Sequence, residues 1–182
     1  MVDAYLQTSV KDVYAIGDCA ERREAVGRRR NLEQVWYTGK IMGETVAQTL
    51  TGNPKTYQPG NWFNSAKFMD LEYQTYGWVF FELGENEDEL IYKDVLNNRM
   101  IHFVFDKNSH EFIGVNTFGI RLRHEVFDAW LNERKDMSFV LSHFSAANFD
   151  PEFFKKFEEK LVNAYNEKFN KNHATFNNMI EF

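Results

Sequence analysis

The residues that could do chemistry are concentrated near the start of the chain. Asp18 follows Gly17 at the end of a nearly continuous apolar run, Asp12-Val13-Tyr14-Ala15-Ile16. A carboxylate delivered to a turn in this way can accept hydrogen bonds from hydroxyl or amide donors. It can equally be an ordinary turn residue. Cys19 stands next to it and is the only cysteine of the 182 residues, so an intramolecular disulfide and a Cys-Cys redox pair are both excluded. An isolated thiol is inert unless its surroundings lower its pKa. Arg22, Arg23, Arg28, Arg29 and Arg30 make the following loop locally basic. His102, His110, His124, His143 and His173 show no metal-ligand spacing.

Bulk properties narrow the classes. The net charge is −6, which argues against a broad phosphate-binding surface and hence against nucleic acid as a partner. Apolar residues make up 43% of the chain, including 18 Phe, enough to fill a real core. No stretch approaches the roughly 20 apolar residues of a membrane-spanning helix, so no membrane association is expected. The first residues lack the basic and apolar regions of a signal peptide. With one cysteine, the chain fits a reducing compartment, and a cytoplasmic location is expected.

The apolar run Asp12–Ile16 predicts a short buried strand feeding the Gly17-Asp18 turn. The spacing of Val35, Trp36, Gly39, Met42, Gly43, Val46, Ala47 and Leu50 predicts a helix over 32–50 with one apolar stripe. Asn31 with Gln34 resembles a capping box, and Gly52 is a natural stop. Lys40 and Glu44 beside Gly39 and Gly43 point to close packing of a soluble helix rather than a membrane dimer motif. Asn53-Pro54 and Pro59-Gly60 bracket a linker, so domains are expected at 1–58 and 59–182. Strand-like segments follow near 65–72, 74–83, 89–95, 99–106 and 111–118, with hairpin tips at Asn97-Asn98 and Lys107-Asn108-Ser109. They predict an antiparallel meander of four or five strands. Helices are expected at 122–134 and from Asp150 onward, where Phe149, Phe153, Phe157, Leu161, Tyr165 and Phe169 fall four apart. The fold class is therefore α+β.

Three blocks in order carry a family resemblance. Thr8-Ser9 followed by Val13-Tyr14-Ala15-Ile16-Gly17-Asp18 resembles the second flavin-binding motif of FAD-dependent pyridine nucleotide-disulfide oxidoreductases. Leu32-Glu33-Gln34-Val35 followed by Gly39, Gly43 and Ala47 is similar to the helix these enzymes aim at the flavin. Asn61-Trp62-Phe63-Asn64-Ser65, with Tyr73-Gln74-Thr75-Tyr76-Gly77 downstream, resembles the opening of the C-terminal domain in ferredoxin-reductase-like and apoptosis-inducing-factor-like members. The resemblance covers roughly the first 77 residues.

It implies that electrons pass from NAD(P)H through FAD to an acceptor. It implies that Gly17 lets the backbone approach FAD and that Asp18 accepts hydrogen bonds from the ribityl hydroxyls. It also implies that the helix end at Glu33, Gln34 and Val35 faces the flavin pyrimidine, where its N–H groups stabilise the charge of the reduced ring. An aromatic residue stands at the position of Asn64 in this family, so Trp62 or Phe63 takes that contact here. The segment 1–58 then reads as a strand-helix remnant of an FAD-binding domain, and 59–182 as a C-terminal domain of the dimer-forming type. Expected partners are the FAD-binding remainder of a parent protein, a second copy of the chain and a protein electron acceptor, the last of which could dock on Arg28–Arg30.

No two glycines stand two apart, so neither G-x-G-x-x-G dinucleotide loop is present. The expectation is a fragment or separately encoded portion of a larger flavoprotein, which alone does not hold FAD tightly. The alternative is an autonomous dimerisation module without catalytic activity.

Overall fold

The computed structural model describes residues 1–149 and 158–169 and divides the chain into two units, Met1–Asn64 and Ser65–Phe182. In the first unit, Val2, Leu6, Ala20, Met42, Val46 and Tyr57 close a small core, with Tyr14, Ala15 and Ile41 packed on it. The helix α1 spans Trp36–Leu50 and is preceded by a 3-10 turn at Gly17–Cys19.

Two sequence expectations fail here for physical reasons. The run 12–16 is not a buried strand: it makes one isolated antiparallel bridge, Gln7 to Tyr14, and leaves Val13 and Ile16 exposed. Its backbone is met instead by local bonds, Thr8 N–H to the Val13 carbonyl and Ala15 N–H to the Leu6 carbonyl. The helix also starts four residues later than expected. Val35 is its N-cap, in extended conformation (φ −135°) with no side-chain cap, so the Asn31/Gln34 capping box does not form. Glu33 explains this: its buried carboxylate accepts hydrogen bonds from Arg29 Nη1 at 2.9 Å and Thr38 Oγ1 at 3.0 Å, which fixes 29–35 as a loop. The helix does stop where Gly52 predicts, with Gly52 at φ +88° and its N–H bonded to the Thr49 carbonyl.

The linker is tied down by the same loop. Arg29 Nη2 donates to the carbonyls of Pro59, Gly60 and Asn61 at 3.0, 3.2 and 3.0 Å, which places 59–64 with the first unit.

The second unit is built on a five-stranded antiparallel sheet of β1 (Phe63–Phe68), β2 (Leu71–Gly77), β3 (Glu87–Asp94), β4 (Arg99–Asp106) and β5 (Phe112–Phe118), in the order β1-β2-β5-β4-β3. Only β3, β4 and β5 form a meander. Strand β2 pairs with β5, from Tyr73 opposite Phe118 to Gly77 opposite Gly114, so 78–86 carries the chain to the far edge. The approach is close at this end: a Cβ on Gly114 would lie 2.5 Å from the Trp78 nitrogen, and one on Gly77 would lie 2.2 Å from the Ile113 carbonyl oxygen. The tips sit where expected. Asn98 is left-handed (φ +51°), and Asp106 Oδ1 accepts from the amides of Asn108 and Ser109.

Helices α2 (His124–Asn132), α3 (Met137–Ser142) and α4 (Glu158–Phe169) follow the sheet. Strand residues Tyr76, Phe103 and Phe112 join helix residue Phe127 and Phe144 in one aromatic core. Tyr76 stacks on Phe127 at 5.0 Å, and Phe103 meets Phe144 edge-on at 6.0 Å. The sequence pattern missed α3, although Asp136 caps it by accepting from Phe139 N–H at 2.8 Å. In the C-terminal stripe, Leu161, Val162 and Tyr165 are buried, whereas Phe149 is exposed. Phe153, Phe157 and the Asp150-Pro151 start lie outside the described residues.

Candidate functional site: a carboxylate turn against an open helix end

Gly17 adopts φ +76°, a left-handed conformation that glycine takes without a steric penalty, and this turns the chain into the short Gly17–Cys19 helix. The turn is held against the first half of α1. The Gly17 amide approaches Met42 Sδ at 3.4 Å, and a Cβ on Gly39 would lie 3.5 Å from Gly17 Cα. On the next turn of the helix, a Cβ on Gly43 would lie 3.7 Å from Ile16 Cδ1. The small residues at 39 and 43 therefore serve close packing within one chain.

Asp18 projects from this turn, exposed, with no hydrogen-bond partner among the described residues. The first bond within α1 runs from Gly39 N–H to the Val35 carbonyl, and this end has no side-chain cap and no acid in its first turn. An exposed acceptor carboxylate thus sits on a glycine turn packed against a helix whose first turn has no side-chain cap. That pair suits a ligand with hydroxyl donors at one point and a developing negative charge at another.

The remaining sequence candidates fall around this edge unequally. Val35 is the N-cap and half-buried, and Gln34 is exposed. Glu33 is buried, and its side chain is committed to Arg29, Thr38 and, at 3.6 Å, Arg22. It positions the loop rather than offering a free carboxylate. Trp62 lies under the Arg29 guanidinium, 5.3 Å from ring centroid to Cζ, and Phe63 packs on Tyr37 at 4.7 Å. Tyr37 in turn meets Trp36 edge-on at 5.2 Å, and Trp36 is 70% exposed. The apolar stripe places Trp36 on the core face, whereas it stands exposed in the first turn of the helix.

The arginine run splits into two kinds. Arg22 and Arg29 are buried structural cations, whereas Arg23, Arg28 and Arg30 are exposed. Cys19 is exposed, its thiol directed at the Ile16 carbonyl at 3.7 Å. Among the described residues there is no cluster of ligating side chains for a metal, and no helix is long and apolar enough to cross a membrane.

No protein-family profile matches the chain. The ferredoxin reductase subunit of 5,5'-dehydrodivanillate O-demethylase from a Sphingobium species is 37% identical over 111 residues, covering 60% of this chain and 25% of that protein. A NAD-dependent persulfide reductase from A. fulgidus superposes with a TM-score of 0.64 at 17% identity, over 93% of this chain and 34% of that one. A FAD-dependent pyridine nucleotide-disulphide oxidoreductase from Desulfovibrio vulgaris superposes with a TM-score of 0.58 at 15% identity, over 93% and 41% of the two chains. These neighbours are ferredoxin reductases and pyridine nucleotide-disulfide oxidoreductases, and the chain matches a partial, C-terminal region of such a protein. It spans a quarter of the length of the Sphingobium relative.

Proposed function

We propose that this chain is the C-terminal part of a flavoprotein oxidoreductase that moves electrons from NAD(P)H through FAD to an acceptor, and that it supplies one edge of the flavin site. The observation that carries the reading is the left-handed Gly17 turn, packed on Gly39 of α1 and bearing the exposed Asp18, together with the absence of a side-chain cap on that helix. The ferredoxin-reductase and FAD-dependent neighbours support it.

FAD, when bound, supplies the hydride and electron chemistry. The residues here bind and orient it. Asp18 accepts hydrogen bonds from the ribityl hydroxyls. The amides following Gln34 and Val35 direct partial positive charge toward the reduced ring, and Trp62 or Phe63 contributes an aromatic wall. Glu33 acts through the loop: neutralised by Arg22 and Arg29, it keeps its own charge from cancelling the helix end. Arg23, Arg28 and Arg30 form the surface for an acidic protein acceptor. The FAD-binding remainder of a parent protein completes the site. Exposed Met69, Val95 and Leu96 on the sheet tips offer a surface for a homodimer.

The test is a fluorescence titration of FAD with the purified chain, which is expected to be colourless as isolated because it lacks a pyrophosphate loop. The expected result is weak, saturable quenching that Asp18→Ala reduces by at least about tenfold, as loss of charge-assisted bonds of roughly 1.5–3 kcal/mol requires. Equal affinity in Asp18→Ala would remove Asp18 from the site.

A further inference from the structure

Three buried charges in the first unit do not balance. Arg22, Arg29 and Glu33 are all buried, and among the described residues Glu33 is the only carboxylate within ion-pair distance of either guanidinium. Two cations against one anion leave a surplus of positive charge. Arg29 is held by Glu33 through Nη1 and by the carbonyls of Pro59, Gly60 and Asn61 through Nη2. The surplus therefore falls on Arg22. Its Nη2 donates to the Arg30 carbonyl and approaches Glu33 Oε1 at 3.6 Å, but its Nε and Nη1 are buried with no hydrogen-bond partner. Tyr57, whose ring centroid lies 5.6 Å from the Arg22 guanidinium, supplies no counter-charge, because burial pushes its pKa up and keeps the hydroxyl neutral. A guanidinium keeps its charge at any accessible pH, and a buried charged donor without a partner is costlier than a neutral one. No contact among the described residues offsets that cost.

The cluster adjoins two parts of the candidate flavin edge. Glu33 Oε2, which holds Arg29, also accepts from Thr38 Oγ1 at 3.0 Å, and Thr38 stands in the first turn of α1. The Arg29 guanidinium lies 5.3 Å from the ring centroid of Trp62. The first turn of α1 adds no acid that could cancel the surplus. A charge buried in this way is screened far less by salt than a surface charge. Its position is also fixed before any ligand arrives, so it acts without reorganisation.

We propose that the surplus charge on Arg22 sets the redox preference of this edge, so that the chain binds reduced FAD more tightly than oxidised FAD. The inference rests on the flavin reading above. Reduction leaves negative charge on the ring, whereas the oxidised ring is neutral, and the phosphates are the same in both forms. The ratio of the two affinities therefore reports the field at the ring and cancels the rest of the cofactor. Arg22 acts through that field and needs no contact with FAD, which suits a side chain buried to this degree. The partial charge of the helix end acts in the same direction, and Arg22 adds a full charge to it. A cost to the fold with no local return thereby gains a role at the site.

The test is a pair of anaerobic titrations of the ¹⁵N-labelled chain, one with oxidised and one with chemically reduced FAD, read by amide shifts. The quantity compared is the ratio of the two dissociation constants in the wild type, in Arg22→Met and in Arg23→Met. Arg22→Met leaves Arg29 and Glu33 as a balanced pair and so should keep the fold, which the amide map of the free variant checks. Arg22→Gln takes its place if it does not. Arg23→Met removes the same charge from an exposed neighbour. The wild type is expected to favour reduced FAD, Arg22→Met to lower that preference severalfold, and Arg23→Met to leave it nearly unchanged across a salt series. A wild type that favours oxidised FAD overturns the inference, as does an unchanged ratio in the Arg22 variant or an equal change in Arg23→Met. In each of these cases the flavin reading stands, because FAD still binds. No saturable shift with either form of FAD overturns that reading and this inference with it.

Discussion

Glu33 shows how much one side chain determines. It holds Arg29 and Thr38, faces Arg22 and keeps the residues before α1 extended, which leaves the helix end open. Removing its charge leaves two buried guanidiniums without a counter-ion. Glu33→Gln should therefore cost about 3–5 kcal/mol in urea unfolding followed by tryptophan fluorescence, as expected when one partner of a buried pair is lost. A loss below about 1 kcal/mol would mean that the cluster is solvated. His124 gives a second prediction. Its ring stacks on Tyr76 at 5.5 Å, and burial lowers its pKa despite the opposing charges of Asp128 and Glu125. A histidine whose folded pKa lies below its unfolded value stabilises the fold above the unfolded value, and that contribution is lost as pH falls through the folded one. Stability should therefore fall from pH 7.5 to pH 5.5, and His124→Phe should flatten that dependence. An unchanged slope in the variant would assign the effect to other groups.

At the scale of elements, the glycines separate two kinds of close packing. Gly39 has room for a Cβ at ordinary contact distance, 3.5 Å from Gly17 Cα, within a helix where glycine costs about 0.5–1 kcal/mol relative to alanine. Gly39→Ala should be neutral or slightly stabilising in thermal unfolding. Gly77 is different: its φ is +67° and an added Cβ would lie 2.2 Å from a carbonyl oxygen. Gly77→Ala should therefore destabilise the sheet unit by at least about 1–3 kcal/mol. The reverse order of the two variants would contradict the packing described.

What the sequence made legible follows the same division. Strands β3, β4 and β5 were readable because local turn chemistry at Asn98 and Asp106 agrees with the apolar runs on either side. The placement of β2 beside β5 was not, because that pairing depends on the glycine crossing at 77 and 114, which is a long-range contact. The Gly17-Asp18 turn was legible as a motif. The start of α1 was not, because a tertiary ion cluster overrides the local capping signal at Asn31 and Gln34.

At the scale of the whole molecule, each unit carries a core of its own. The first 50 residues bury Val2, Leu6 and Met42 within their own unit. The central claim is that the Gly17–Cys19 turn and the first turn of α1 in this unit face a flavin. The most direct measurement is a ¹H–¹⁵N map of the labelled chain titrated with FAD. The account predicts that the amides of Gly17, Asp18 and Cys19 shift together with those of Trp36, Tyr37 and Thr38, with one shared saturation curve that Asp18→Ala abolishes. Shifts confined to other residues, or an unmoved helix end while Asp18 responds, would contradict it.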